Sequence, residues 1–405
     1  MDVSRRVVLG GAAAAVAAPG LPSIVAPIAL PDRTNFQLDR TFLNAAYVHP
    51  MGRMTYDAIE AFLQRRMRQP TTPWPGENDR DKAVALFARL INADPADIAV
   101  VPSTMEGENL IAASLGLGPN AGVVTDAFHY SPEIYGEYGK RGVPVAVARP
   151  RHNRIEVADI DRLIDGKTRL VAVSEISSDT GFRHDIKALA SAAHSKGALV
   201  FADIVQAAGA VPIDVKDSSV DFCCCGGYKW LMGDFGAAFL YVRPNRLKEL
   251  KRVQFGWRQY KSYVSHVYPL DPLGAAAIDY TLRDDTIGRF EVSTPSWSTL
   301  SGLAASLAYI RELGVDHIVE HRAPLMERLQ AELPRYGFAP LTPADTATPA
   351  IAFTFADAAT RLKAALVAAR IDISLYRNRI RIAPSVYNDA ADIERLIKTL
   401  AQASR

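Results

Sequence analysis

The sequence predicts an α/β fold: a large domain with a mostly parallel sheet covered by helices, then a smaller α+β C-terminal domain. Three observations carry this. Short β-branched runs alternate with amphipathic stretches from Pro31 onward. The strand runs are near-continuously apolar, the pattern of strands buried on both faces. After residue 284 the rhythm changes to long helices followed by a few short strands.

The elements follow in order. Asp81 to Asn92 reads as a helix with Val84, Phe87 and Ile91 on one face, ended by Asp94-Pro95. Ile98 to Val101 and Val123 to Thr125 read as strands. Ser131-Pro132-Glu133 supplies a cap, a first-turn proline and an acidic first turn for a helix that Gly142 stops. Val143 to Ala148, Thr168 to Val173 and Ala198 to Ala202 are further strands. His184 to Lys196 is a helix closed by Gly197. Helices at Thr299 to Leu313 and His317 to Leu333 precede strands at Ile351 to Phe355 and Arg379 to Ile382. A final helix follows Asn388.

Composition removes several classes. The chain has 405 residues, 49% hydrophobic and 22% charged, which excludes a disordered chain. Three Cys cannot staple a chain of this size. Lys+Arg 46 against Asp+Glu 44 leaves no basic field for nucleic acid. Cys223, Cys224 and Cys225 are consecutive, so in a strand they face alternately and make neither a metal clamp nor a mutual disulfide. No metal site is expected, and the three thiols read as small buried packing.

Arg5-Arg6 stands just before the small apolar run Gly10 to Ala18, and Pro19, Gly20, Pro22, Pro27 and Pro31 follow. That order describes an export signal and looks like a twin-arginine one. The run is too short to span a membrane, so no span is expected in the mature protein. The expectation is a periplasmic or secreted protein carried by export machinery for folded proteins, with cytoplasmic as the alternative. Cleavage falls after Ala18 or nearer Leu30.

The most informative stretch runs from Ala198 to Val242. Leu199 to Asp203 delivers a carboxylate at the carboxyl end of a buried strand, where open α/β sheets bind ligands. Gln206 follows, and then Gly226-Gly227-Tyr228-Lys229-Trp230-Leu231, with Lys229 26 positions after Asp203. Upstream, Ser103-Thr104-Met105-Glu106-Gly107-Glu108-Asn109 leaves a strand and opens a helix, and His129 follows Thr125-Asp126 at another strand end. Ser178 lies in a Ser-rich turn, Phe290 to Pro295 contains Thr294, and Arg379-Ile380-Arg381-Ile382-Ala383-Pro384 precedes Tyr387-Asn388.

Taken together, these motifs resemble the class V aminotransferase family, of fold type I and dependent on pyridoxal 5'-phosphate. The resemblance covers about residues 40 to 400 in motif order. It implies a seven-stranded type of sheet. It also implies a division into signal and linker (1–30), an N-terminal segment beside the active site (31–55), a large cofactor domain (56–284) and a small domain (285–405).

The resemblance assigns roles to residues whose chemistry suits them. A lysine amine forms a Schiff base with an aldehyde cofactor, and a carboxylate at the pyridine nitrogen keeps the ring an electron sink. Lys229 and Asp203 take those roles as catalytic residues. Thr104 and Met105 lie at a helix start suited to phosphate, although relatives carry Thr at the Met105 position. The plain alternative is N-capping by Ser103 or Thr104. Gln206 falls near the cofactor's phenolic oxygen. His129 stacks on the ring, with Tyr130 as the rival for that face. Ser178 replaces a more usual Asn, Gly226 a more usual Ser, and the Tyr228 hydroxyl compensates for the latter. Thr294 reaches the phosphate of a neighbouring subunit, which implies a homodimer with shared sites. Arg381 takes the substrate carboxylate through its planar fork, with Ala383 in place of Ser, and Asn44 lies beside the substrate.

The function expected is chemistry at the α-carbon of an amino acid or amino-acid-derived small molecule. Aminotransferase or epimerase chemistry leads, in a branch that resembles isopenicillin N epimerase. A kynureninase-like hydrolase or a C–S lyase is the alternative, and a catalytically silent binding protein of the same fold is the rival of another class. Cysteine desulfurase chemistry is disfavoured, because every Cys precedes Lys229.

Overall fold

Strands that are apolar on both faces need hydrogen-bonding neighbours at their edges and a layer of helix on each side. The computed structural model, which describes residues 28–69, 77–130 and 132–405, supplies both. Seven strands lie in the order Ile98–Val101, Ala238–Val242, Phe222–Gly226, Leu199–Asp203, Thr168–Ser174, Gly122–Asp126 and Val145–Ala148. All run parallel except Ala238–Val242, which is antiparallel to both its neighbours. That strand was not foreseen from the sequence.

The register decides where the chemistry goes. Asp203 lies opposite Ser174 on one side and Cys224 on the other, so the carboxyl ends of three successive strands come level. One face of the sheet packs Phe87, Leu189, Val200, Cys223, Cys225 and Leu300 into a core. The opposite face packs Ile111, Tyr135, Phe201, Cys224 and Phe290. The three Cys therefore alternate between cores as free buried thiols, and burial pushes all three well above the usual thiol range.

Helix ends mostly follow local chemistry. Asp185 caps the helix Ile186–Ser195 by accepting from the Ala188 N–H at 2.9 Å. Gly142, in the left-handed region at φ +87°, follows the helix Glu133–Lys140. The expected cap at Ser131 lies outside the described residues, and Pro132 directly precedes that helix. The helix read at Asp81 to Asn92 spans Glu77–Leu90, and a helix Arg53–Arg68 precedes it.

The second sheet has four antiparallel strands, in the order Ala339–Pro340, Ile351–Thr354, Arg379–Ile382 and Ser374–Tyr376. Leu325, Leu329, Phe353, Leu362, Ile380 and Leu396 form its core with the helices Val315–Glu332, Ala358–Ala369 and Ala390–Ala403. The helix Trp297–Leu313 belongs elsewhere. It is apolar almost all round and packs in the large core against Arg53–Arg68 and Glu77–Leu90. Gly302 permits the approach, since a Cβ there would meet Ile59 Cγ1 at 2.9 Å.

The N-terminal segment joins the two units. Thr41–Phe42 pairs in parallel with Ile371–Asp372, and Asn44 bridges to Ala383. A few residues later the His49 N–H donates to the Tyr228 carbonyl at 3.1 Å. A hairpin, Tyr260–Ser265 with Ile278–Leu282, stands out into solvent and carries exposed Tyr263, Leu270, Leu273 and Tyr280. No helix among the described residues is long and apolar enough to cross a membrane.

Candidate active site

Strand ends fix the first half of the site. Asp203 closes its strand with 3% of its surface exposed, and its Oδ1 accepts from the Val205 N–H at 2.9 Å. Lys229 lies in the turn after the next strand. The Gly227 N–H donates to the Ala237 carbonyl at 2.9 Å, and the Met232 N–H donates to the Lys229 carbonyl at 2.8 Å. The lysine is 7% exposed. Burial lowers its affinity for a proton and Arg381 adds to this, while Asp203 opposes both. Burial likewise raises the Asp203 carboxyl, against the Val205 hydrogen bond and the charges of His129 and Lys229. The Lys229 Nζ sits 5.5 Å from the Tyr130 ring centre and 5.8 Å from that of Tyr228, so both aromatics border it.

The helix Thr104–Ser114 aims its N-terminus at the same region. Ser103 is its cap, accepting from the Glu106 N–H at 3.1 Å. The Thr104 hydroxyl has a separate task and accepts from the Gly226 N–H at 2.9 Å. Capping thus falls to Ser103 and leaves Thr104 facing the lysine strand. Among the described residues, the Thr104 and Met105 N–H groups have no acceptor, which leaves a partial positive end. A Cβ on Gly226 would stand 3.2 Å from Thr104 Oγ1 and 3.3 Å from the Tyr228 ring, so glycine keeps this cradle open.

Gln206 is a tie. Its Nε2 donates to the Ala46 carbonyl and its Oε1 accepts from the Trp230 indole, both at 2.8 Å. It therefore fastens the N-terminal segment to the residue beside Lys229. His129 is buried at a neighbouring strand end, with Nε2 2.7 Å from Glu108 Oε1 and Nδ1 3.1 Å from Ser174 Oγ.

The second half is assembled where the small sheet meets the N-terminal segment and a loop of the large sheet, with Ser374 opposite Arg381 on paired strands. Arg381, 3% exposed, donates to the Ser178 carbonyl, to Ser374 Oγ at 2.9 Å and to Asn44 Oδ1 at 3.5 Å. Ser374 also donates to Asn44 Oδ1 at 2.6 Å. Ser178 thus contributes a backbone carbonyl to this cluster. The Arg381 Nε is buried without a partner among the described residues, and burial lowers the guanidinium from its usual range. Thr294 is exposed. Buried Glu291 anchors its segment by accepting from Arg80, from the Val100 N–H at 2.9 Å and from Arg258 at 3.2 Å.

Sequence reasoning missed Glu108, Ser174, Ser374 and His49. Glu108 sits between Gly107 and Asn109, just before the apolar run from Leu110, and neither it nor Ser174 nor Ser374 carried a local signal. His49 is buried against Phe36, Trp230 and Tyr387, with Nε2 2.8 Å from Ser385 Oγ. Burial lowers it to about 4.

The family model for aminotransferase class-V matches residues 77–396. The chain belongs to the class-V aminotransferase family. It is thus an enzyme of the pyridoxal-phosphate-dependent type. It is 26% identical over 360 residues to an uncharacterized aminotransferase, YcbU, of Bacillus subtilis, covering 88% of this chain and 91% of that one. It is 30% identical over 259 residues to a cysteine desulfurase of Enterobacter sp., covering 61% of this chain and 59% of that one. Its fold matches the apo structure of a cysteine desulfurase from Thermococcus onnurineus NA1 with a TM-score of 0.79 and 19% identity, covering 93% and 99% of the two chains.

The enzyme's own residues fit the cofactor. The open cradle at Gly226 and the free N–H groups of Thr104 and Met105 suit a phosphate. A buried lysine of depressed basicity suits an aldehyde, and a buried carboxylate suits a ring nitrogen.

Proposed function

We propose that the enzyme acts at the α-carbon of an amino acid or amino-acid-derived substrate, as an aminotransferase or epimerase. One observation carries this reading: Lys229 is buried with lowered basicity, set between the charges of Asp203 and Arg381. When bound, pyridoxal phosphate supplies an electron sink for bonds at that carbon.

The rest is done by side chains. Lys229 holds the cofactor's aldehyde carbon and, once released, takes and returns the substrate's α-proton. Its lowered basicity leaves more free amine at neutral pH than an exposed lysine has. Asp203 would hold the ring nitrogen, Gln206 would have only the second hydrogen of its Nε2 to offer the ring oxygen, and His129 would lie against the ring, with Tyr130 as the rival. Thr104, the Met105 N–H, Gly226 and Tyr228 receive the phosphate, and Ser178 borders the cofactor. Arg381 grips the substrate carboxylate with its fork, and Asn44 holds that fork in place.

Thr294 would complete the phosphate site of a second copy in a homodimer. Its exposure, and the exposed Tyr263, Leu270, Leu273 and Tyr280 of the hairpin, support that assembly. Export through a twin-arginine route to the periplasm, from Arg5 and Arg6, remains part of the proposal; those residues lie outside the described ones. Replacing both by Lys and fractionating cells tests it, and an unchanged periplasmic location would rule it out. A branch near isopenicillin N epimerase is proposed on the same motif resemblance.

A second reading is a lyase or hydrolase of C–S or kynureninase-like type. Relatives named cysteine desulfurase favour it. Burial of all three thiols, ahead of Lys229, disfavours sulfur transfer to a cysteine of this chain. A spectral screen of amine substrates with product analysis separates the readings. A keto acid that keeps the substrate's whole side chain, or an inverted α-carbon, supports the first, and eliminated sulfide or a cleaved side chain supports the second. A protein that never takes up the cofactor would be the silent binding protein instead.

A further inference from the structure

Glu108 occupies an open position of the Glu-x-x-Asn pattern formed by Glu106 and Asn109, so the family resemblance gives it no role. Yet it is a carboxylate only 1% exposed, on the helix Thr104–Ser114 between Gly107 and Asn109. Two groups converge on its Oε1. The Tyr135 hydroxyl donates at 2.5 Å and His129 Nε2 lies at 2.7 Å. Burial and Glu108 raise the Tyr135 phenol well above its usual range, so that hydroxyl keeps its proton. With the carboxylate as acceptor, His129 Nε2 must carry a proton too.

The other ring nitrogen faces Ser174 Oγ at 3.1 Å. That oxygen already accepts from the Tyr130 N–H at 2.9 Å and lies 3.4 Å from Asp203 Oδ2. A hydroxyl has one proton to give. When Ser174 gives it to Asp203, His129 Nδ1 must donate in turn, and the imidazole carries both protons.

The surroundings favour that state. Glu108 faces the ring from the helix Thr104–Ser114, Asp126 from the ring's own strand end and Asp203 from a strand end nearby. Tyr135, from the helix Glu133–Lys140, is uncharged, and Asp126 is shared with His184 Nε2 at 3.1 Å. Burial opposes a charged imidazole, but Glu108, Asp203 and Asp126 outweigh it and hold His129 above its usual range.

We propose that Glu108 is a positioning residue, holding His129 as an imidazolium that donates to Ser174, which in turn donates to Asp203. The relay gives Asp203 a second hydrogen bond and fixes the charge of the group set against the cofactor ring. Its bearing on the cofactor rests on the function proposed above, whereas the proton positions do not.

Nitrogen-15 NMR of the full chain with labelled histidine reads those positions, with the His129 signals assigned by their loss in His129→Asn. The cofactor-free protein should show His129 doubly protonated at neutral pH. Glu108→Gln should lose the imidazolium signal, and Tyr135→Phe should keep it. A neutral His129 ring in the wild type overturns the proposal with no variant needed, and so does an imidazolium that survives Glu108→Gln. In protein loaded with pyridoxal phosphate, Ser174→Ala should move the pH at which the cofactor band changes. An unmoved transition breaks the link to Asp203. Failure to bind the cofactor at all would sink the proposed function and leave the histidine spectra standing.

Discussion

The two halves of the site are built in different ways. Asp203, Lys229, Thr104 and His129 stand at strand ends, or one turn beyond them, on a single continuous sheet. Arg381 and Ser374 face each other across one strand pair of the small sheet, Asn44 joins through the N-terminal segment's bridge to Ala383, and Ser178 adds a carbonyl from a loop of the large sheet. The first half presents general chemistry from a rigid edge, as open parallel sheets do. The second is a clamp whose geometry depends on how the small sheet and the N-terminal segment meet the large one. Change in the first half should therefore abolish the reaction, and change in the second should weaken and redirect it.

The largest effect is expected at Lys229. Lys229→Ala should lower turnover by about 10⁴-fold or more, because nucleophile and proton carrier go together; steady-state kinetics checks it. Asp203→Asn should cost about 10³-fold in turnover by removing the charge beneath the electron sink. Its effect on stability should run the other way. Burial raises the Asp203 carboxyl, so its contribution to folding is full below the unfolded value and is lost as pH rises through the folded one. At neutral pH the ionised group burdens the fold, and cofactor-free Asp203→Asn should melt no lower than the wild type in calorimetry.

The clamp should respond differently. Arg381→Ala should cost about 10²-fold in kcat/KM, chiefly through KM for carboxylate substrates, and should leave the cofactor band in place. Ser374→Ala should cost ~1 kcal/mol of Arg381 positioning, about fivefold in kcat/KM. If it instead costs as much as Arg381→Ala, the clamp is as rigid as the strand edge and the contrast fails.

The smallest effect concerns His49, which helps hold the N-terminal segment. Its depressed folded value means that its contribution is full above the usual imidazole range and is lost as pH falls toward about 4. Wild-type stability should decline across that window more than that of His49→Phe, as denaturant titrations at stepped pH would show.

The same contrast explains what the sequence made legible. Strand ends such as Asp203 and the Gly226–Leu231 turn follow from local pattern, so their neighbourhood was readable. Arg381 and Asn44 were reached through motif resemblance, but Ser374 was not, because its task exists only once its strand pairs with that of Arg381 and Asn44 is brought to them. Glu108 was passed over because its partners, Tyr135 and His129, lie on other elements. The strand Ala238–Val242, though not foreseen, carries the same continuous apolar pattern as the others and was legible as a strand; only its antiparallel direction has no local sign. The hairpin Tyr260–Ser265 with Ile278–Leu282 shows apolar groups to solvent, which no one-sided burial pattern anticipates. Trp297–Leu313 was legible as a helix but not in its allegiance, because a helix apolar almost all round does not say which core it joins.

The most direct measurement is the absorption spectrum of the purified full chain incubated with pyridoxal phosphate, beside that of Lys229→Ala. The wild type should acquire the visible band of lysine-bound cofactor, shed it on borohydride reduction with the label on Lys229, and the variant should show free cofactor only. A wild type that stays colourless, or a variant with the same band, would contradict the assignment of Lys229 as the cofactor's anchor.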